Sequence, residues 1–114
     1  MALDRWKSQL RKGAAELAVL ALVKEEPRSG TELLDALSVY EEIGLSDGTM
    51  YPLLNRLERE GRISGVWAAP AGGGRGQKTY TITKPGIVAL REMANSWSGF
   101  RNQLSQIVGD EYEQ

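Results

Sequence analysis

The chain has 114 residues, 41% of them hydrophobic, and a formal net charge of −1, which suits one compact domain with a modest core. It contains no cysteine and no histidine, which excludes disulfides, a thiolate metal site and a Ser-His-Asp catalytic relay. No apolar run approaches the roughly 20 residues of a membrane span and the N-terminus lacks a signal-peptide layout, so we expect a soluble cytoplasmic protein. Without cysteine and histidine we also expect no cofactor, no metal and no enzymatic activity.

Two helices are predicted in the first third of the chain. Residues 3–24 carry apolar side chains at alternating steps of three and four, which is typical of an amphipathic helix, and Pro27 ends it. Ser29 begins the second helix, "SGTELLDAL", with Glu32 three residues later in the position of a capping box.

A third helix is predicted within residues 44–61. Met50, Leu53, Leu54 and Leu57 have the i, i+3, i+4, i+7 spacing of one buried stripe. The opposite face then points outward, and it carries Pro52, Asn55, Arg56 and Arg59. Such a helix, with leucines beneath and polar groups above, is suited to contact with a partner.

Ser46 lies in a Gly-x-Ser-x-Gly pattern, from Gly44 to Gly48, that resembles the nucleophile motif of serine hydrolases. That motif requires a preceding strand and a nearby base, whereas a helix and a turn precede Ser46 and the chain has no histidine. We therefore expect Ser46 to be an N-cap whose hydroxyl accepts a hydrogen bond from a backbone N–H of the first helical turn.

Residues 62–114 predict a hairpin and a long helix. The strands "ISGVW" and "KTYTIT" flank a glycine-rich tip, 70–76, and a last helix runs from Lys84 to about Val108. The fold class is therefore mainly α with a small β-hairpin, a winged helix-turn-helix with a C-terminal dimerisation helix. We divide the chain into a winged-helix DNA-binding domain, 1–83, and a dimerisation helix with an acidic tail, 84–114.

Charge is unevenly distributed along the chain. Residues 1–12 hold four basic side chains against one acidic, and residues 49–84 hold six against two, while the other segments are acidic. Affinity for phosphates depends on local charge, so a fold that joins the two basic segments would bind a polyanion. Ordinary solvated surface charge is the alternative.

At the level of motifs, the chain resembles the PadR family of bacterial winged-helix repressors. The resemblance covers nearly the whole chain, through "ELAVLALVKEEPRSGTELLDAL", "LSDGTMYPLLNRLEREGRI", "GGGRGQKTYTIT" and "KPGIVAL". It implies a homodimeric transcriptional repressor that binds an inverted-repeat operator in double-stranded DNA and releases it when a small effector occupies the dimer.

The outward face of the third helix, the first helix and the wing supply the expected DNA contacts. Short polar groups and Pro52 suit base edges and thymine methyls, and the basic side chains suit phosphates or guanine. The predicted DNA-binding residues are Lys12, Ser46, Thr49, Tyr51, Pro52, Asn55, Arg56, Arg59, Arg75 and Lys78.

The last helix is expected to form the dimer. Its apolar residues repeat every three or four positions, and its distal half extends past a head of this size, so a second copy is the simplest partner. The first helix, with the same alternation, is expected to pack against the partner's last helix. The predicted interface residues are Leu90, Met93, Trp97, Phe100, Leu104 and Ile107.

Small residues flank Trp97 in "NSWSGF" and leave space around its indole. The stretch resembles the short PadR subgroup that senses planar, multidrug-like compounds, in which a tryptophan at this place stacks on the ligand. The effector site implied consists of Trp97, Met93, Phe100 and Trp6. The alternative is that Trp97 is a packed aromatic of the interface.

A winged-helix protein-interaction module without DNA binding is the alternative function.

Overall fold

The computed structural model describes residues 2–69, 76–109 and 111, which form four helices and a three-stranded antiparallel sheet. The elements in chain order are α1 (Ala2–Glu25), β1 (Arg28–Ser29), α2 (Gly30–Ser38), α3 (Asp47–Arg59), β2 (Ile63–Ala68), β3 (Gln77–Ile82) and α4 (Lys84–Val108). The predicted fold class, mainly helical with a wing and a long last helix, is confirmed. No helix among the described residues is long and apolar enough to span a membrane.

The start of α2 has the predicted capping box and also forms an unpredicted strand. The Ser29 hydroxyl accepts a hydrogen bond from the Glu32 N–H at 3.2 Å, and the Glu32 carboxylate accepts one from the Ser29 N–H at 2.9 Å. Arg28 and Ser29 pair with Tyr80 and Thr79 of β3, giving the strand order β1-β3-β2. A two-residue strand has no periodicity, so the sequence predicted only a two-stranded hairpin.

In α3 the predicted apolar stripe is buried. Met50, Leu54 and Leu57 have no exposed surface and Leu53 is 8% exposed, and all four belong to the core. Val19 and Leu20 of α1 and Leu33 of α2 complete its centre. The buried stripe fixes the rotation of α3, so its polar face points outward.

Ser46 is the N-cap residue of α3, but its side chain does not make the predicted cap. The N–H groups of Thr49 and Met50 donate to the Ser46 backbone carbonyl, at 3.1 and 2.9 Å. The hydroxyl instead donates to the Thr49 hydroxyl at 3.3 Å, and no backbone N–H donates to it. The expectation of a side-chain cap was wrong, because the Thr49 hydroxyl offers a competing partner one turn later.

The junction between the wing and α4 depends on a glycine. Thr83 caps α4 by accepting a hydrogen bond from the Gly86 N–H at 3.0 Å, and its own hydroxyl donates to the Gly61 carbonyl at 2.6 Å. A Cβ atom at Gly86 would collide with the backbone carbonyl oxygen of Arg62 and lie 2.8 Å from Ile82. The start of α4 therefore packs directly on the chain that leads into β2.

We predict that Gly86→Ala lowers the free energy of unfolding by about 2 kcal/mol or more, because the Arg62 backbone and the Ile82 side chain must move to accept the methyl group. Chemical denaturation measures the loss. Gly48→Ala is the control: a Cβ there meets only the Ser46 hydroxyl at 3.8 Å, an ordinary contact. Equal stability of the two variants would contradict the prediction.

The two halves of α4 have different surroundings. Ala89, Leu90 and Met93 pack against the core of the same chain. Four apolar residues farther along the helix have exposed fractions between 44% and 82%: Trp97, Phe100, Leu104 and Ile107. The adjacent Val108 is 39% exposed. On α1, Leu3, Trp6 and Leu10 are also exposed. The apolar repeat of α4 thus begins in the core and continues onto an uncovered face.

Candidate nucleic-acid interface

The outward face of α3 is polar and accessible. Pro52, Asn55 and Arg59 are exposed, on the side of the helix opposite the buried leucines. Neither Asn55 nor Arg59 has a hydrogen bond or ion pair with any described residue, so both side chains are available to a partner. Two depressions flank this face, one beside α1 and one beside the wing.

The depression beside α1 brings together three predicted DNA-binding residues. Lys12 lines it from α1, and Ser46 and Thr49 line it from the start of α3, around a volume of about 320 Å³. Arg11, which also lines it, donates a hydrogen bond to the Glu42 carbonyl at 2.9 Å. One basic segment of the sequence therefore does lie beside the polar helix face.

The depression on the other side, which we call the wing groove, lies between α3 and the wing. It has a volume of about 490 Å³, and its walls include Tyr51 and Asn55 from α3 and Trp67, Lys78 and Tyr80 from the sheet. Tyr51, Asn55 and Lys78 were predicted from the sequence, whereas Trp67 was assigned only to a strand. The alternation of Ile63, Gly65 and Trp67 on one face of β2 was the available signal.

Tyr51 has a fixed position in this groove. Its ring lies against the backbone of Gly30, where an added Cβ would be 2.5 Å from the Tyr51 Cε1 atom. The side chain is nevertheless 40% exposed. Glycine at the start of α2 thus leaves room for the Tyr51 side chain, which also lines the wing groove.

Lys78 is held by α3 instead of extending freely from the wing. Its ammonium donates to the Glu58 carboxylate at 2.7 Å and lies 5.6 Å from the Tyr80 ring centroid and 5.9 Å from that of Trp67. The Gly65 N–H donates to the other Glu58 oxygen at 3.2 Å. These contacts connect the wing to α3, and the ion pair partly neutralises Lys78.

The ion pair shifts both ionisation equilibria. The hydrogen bond from Lys78, with the Gly65 N–H, lowers the pKa of Glu58 below its ordinary 4.5. The Glu58 carboxylate raises the pKa of Lys78 above its ordinary 10.5. A lowered carboxyl pKa stabilises the fold above the unfolded-state value, and that stabilisation is lost as pH falls through the folded-state value.

We therefore predict that the difference in free energy of unfolding between the wild type and Glu58→Gln is constant near neutral pH and shrinks as the pH falls below 4.5. Denaturation series at several pH values measure it. In a Lys78→Met background the change should be smaller, because only the Gly65 N–H still favours the carboxylate. A difference that persists unchanged to about pH 3 would contradict the prediction.

Arg56 is tied to α1. It bonds Glu16 at 3.1 Å and Glu60 at 3.3 Å, and Glu16 also forms a close ion pair with Arg62. The hydrogen bond from Glu16 is the main cause that raises the pKa of Arg56. The charge of Arg56 is thus largely compensated within the protein, while Arg59, one turn later, has no ion pair with any residue that the structure describes. The contact of Arg56 with DNA stays a prediction.

Arg75, predicted to reach DNA from the wing tip, lies outside the described residues, as does most of the tip.

The predicted effector residues do not form one cluster within the chain. Trp97 and Phe100 stack, with ring centroids 6.2 Å apart and an interplanar angle of 26°. Met93 packs against the core, and Trp6 makes no ring contact with either aromatic among the described residues. No group of acidic residues in the described chain is arranged to hold a metal ion.

Comparison with known proteins gives a consistent result. The sequence model of the family described as "Transcriptional regulator PadR-like family" matches residues 19–92 of this chain. A PadR family transcriptional regulator from Eggerthella lenta is 26% identical with a TM-score of 0.84, covering 96% of this chain and 94% of that one. A PadR-like regulator from Bacillus cereus is 31% identical with a TM-score of 0.77, covering 88% and 96%. No curated protein matches.

Proposed function

The chain belongs to the PadR-like family of transcriptional regulators, which are not enzymes, and from that premise we propose that it is a homodimeric repressor. In each copy α3 would read base edges in a major groove, while the wing and α1 contact the flanking backbone. The observation that carries this proposal is the outward face of α3, which is polar and, within the described part of the chain, without side-chain partners at Asn55 and Arg59. It lies between two depressions that basic side chains help to line.

The two α3 helices of a dimer would enter successive major grooves on one side of the duplex. Half-sites of the inverted repeat would then be about 34 Å apart, or a multiple of that distance. The residues proposed to contact DNA are Lys12, Ser46, Thr49, Tyr51, Pro52, Asn55, Arg56, Arg59 and Lys78, with Arg75 added from the sequence.

A gel-shift titration at several salt concentrations tests the DNA-binding step. The probes are the duplex upstream of the encoding gene and a mixed-sequence duplex of equal length. Affinity that falls steeply with added salt supports the proposal, because phosphate contacts release counterions. Absence of any shift on both duplexes at low salt would overturn it and favour a protein-interaction module.

The dimer is proposed to form through the exposed apolar face of α4, against α1 of the partner. Trp97, Phe100, Leu104 and Ile107 on α4, with Leu3 and Trp6 on α1, supply apolar surface that the chain itself does not cover. Leu90 and Met93 contribute less in this arrangement, because they already pack against their own core. A two-fold axis would bring the two Trp97 side chains toward one another.

An effector between those indoles is the further part of the proposal. Two facing aromatic walls accommodate a planar guest, and the small neighbours Ser96, Ser98 and Gly99 leave room for it. Since Glu16 joins α1 to Arg56 and Arg62, a shift of α1 on binding would be transmitted to α3. The spacing of the two heads, and with it operator affinity, would change.

We predict that planar aromatics such as phenolic acids or intercalating dyes quench the tryptophan emission, and that Trp97→Ala abolishes most of this quenching. The reason is direct stacking of the guest on the Trp97 indole. A fluorescence titration measures it, with Trp67→Phe as the control because that residue lies on the wing. Quenching that survives Trp97→Ala would mean that no indole-walled pocket exists and that Trp97 is a packed interface aromatic.

A further inference from the structure

Trp67 is the most exposed aromatic side chain in the described part of the chain, at 68%. It lies on β2 of the wing, far along the sequence from the apolar faces of α1 and α4. Neither fold stability nor the proposed dimer accounts for a large indole at this position, because its ring is largely uncovered. The face of β2 on which the Trp67 side chain lies determines which surface it contacts.

The indole points toward α3. Alternation places Ile63, Gly65 and Trp67 on one face of β2, and Ile63 is buried in the core while Gly65 meets Glu58 of α3. Trp67 is therefore the next residue outward on the side that faces the helix. It forms one wall of the wing groove, and Tyr51 and Asn55 of α3 also line this groove.

The sequence predicted a cation, Lys78, on this side of the wing groove. The structure adds an uncharged hydrogen-bond donor there, the indole N–H of Trp67. Lys78, directly opposite Trp67 in the strand pair, is paired with Glu58 at 2.7 Å and is only partly exposed. No described residue accepts a hydrogen bond from the Trp67 indole N–H. The Lys78 ammonium lies 5.9 Å from the centroid of the Trp67 ring, within cation–π distance, while the ring stays 68% exposed.

We propose that Trp67 is a DNA-backbone contact: its indole N–H donates to a phosphate oxygen and its ring packs on the adjoining deoxyribose. This inference rests on the proposed function, since it assumes that α3 enters the major groove. A helix nearly fills a groove about 12 Å wide, so a side chain on the wing-side wall meets the sugar-phosphate strand and not the base edges. The contact uses no net charge.

That chemistry has a specific signature. Loss of Trp67 should weaken specific and mixed-sequence duplexes by the same factor, because the backbone is common to both. The slope of log affinity against log salt should stay unchanged, because no cation is removed. A lost hydrogen bond to a charged group, with its ring contact, corresponds to roughly tenfold in affinity for each subunit.

The first test compares wild type, Trp67→Ala and Trp67→Phe by anisotropy titration with mixed-sequence duplex DNA of about 30 base pairs, long enough for two half-sites. We expect Trp67→Ala, which loses the contact in both subunits, to bind about a hundredfold weaker at an unchanged salt slope, and Trp67→Phe to lie between the two. Wild-type affinity in both variants would overturn the inference. So would a loss accompanied by a shallower slope, which would mean that the Lys78 contact had been lost instead.

The second test needs no loss of the side chain. The chain has three tryptophans, so Trp6→Phe with Trp97→Phe leaves Trp67 as the only emitter. Its emission should be quenched or shifted by duplex DNA at concentrations where anisotropy shows that this double variant is bound. In the matched protein with Trp6→Phe and Trp67→Phe, the emission of Trp97 serves as the control and should change less.

The two tests separate failure of this inference from failure of the proposed function. If wild type binds no duplex at low salt, the proposed function fails. If wild type and the Trp6→Phe, Trp97→Phe variant both bind, and the emission of Trp67 does not respond to bound DNA, only the inference fails. Should Trp67→Ala unfold, Trp67→Phe and the emission of Trp67 still decide the question.

Discussion

Phe100→Glu is expected to convert the dimer into monomers and to weaken binding to a duplex with two half-sites by at least about a hundredfold. Phe100 is 55% exposed on α4 and stacks on Trp97, so it lies at the middle of the uncovered apolar face. A carboxylate there would have to be buried without a partner in the dimer, which costs several kcal/mol for each copy.

Sedimentation or light scattering measures the oligomeric state, and a gel shift measures the affinity. Val88→Glu is the matched control, because Val88 is 53% exposed on the same helix but about 160° around it from Leu90. It should leave the dimer intact. A Phe100→Glu protein that stays dimeric would show that another surface pairs the subunits. A monomeric Phe100→Glu protein that binds the duplex as tightly as wild type would show that DNA binding does not require the dimer.

The sequence predicted the elements whose side chains repeat with a clear period. The buried stripe of α3 and the capping box at Ser29 follow from spacing alone, because a helix brings residues three and four apart onto one face. The two-residue β1 has no period to detect. The Ser46 hydroxyl was predicted to cap α3, yet it bonds Thr49, a choice between two nearby partners that spacing does not decide.

At the candidate site, the sequence placed side chains on the correct face but could not give their partners. Arg56 and Lys78 were predicted to contact DNA, and the fold pairs them with Glu16 and Glu58, which lie 40 and 20 residues away in the chain. Trp67 was not predicted as a site residue: alternation placed it on the same face of β2 as Ile63, but the packing of β2 against α3 was needed to show that this face lines the groove. Tertiary contacts, not local pattern, decide which groups are available to DNA.

Compensation of Arg56 and Lys78 shifts the expected base recognition to neutral groups. Asn55 is exposed at the centre of the outward face, lines the wing groove and has no hydrogen-bond partner in the described chain. An asparagine that reaches an adenine edge donates to N7 and accepts from N6, a pair that discriminates by about 1–3 kcal/mol. A dimer has two such contacts.

Asn55→Ala is therefore expected to weaken binding to the upstream duplex by at least about thirtyfold while binding to mixed-sequence DNA changes little. Titrations of both duplexes at one salt concentration measure the ratio. Asn102→Ala, an exposed asparagine on the outer side of α4, is the control and should change neither. An equal loss of affinity on both duplexes would instead mean that Asn55 contacts the DNA backbone, which is the behaviour expected of Trp67. Substitutions at Asn55 and Trp67 therefore separate base recognition from backbone contact within one groove.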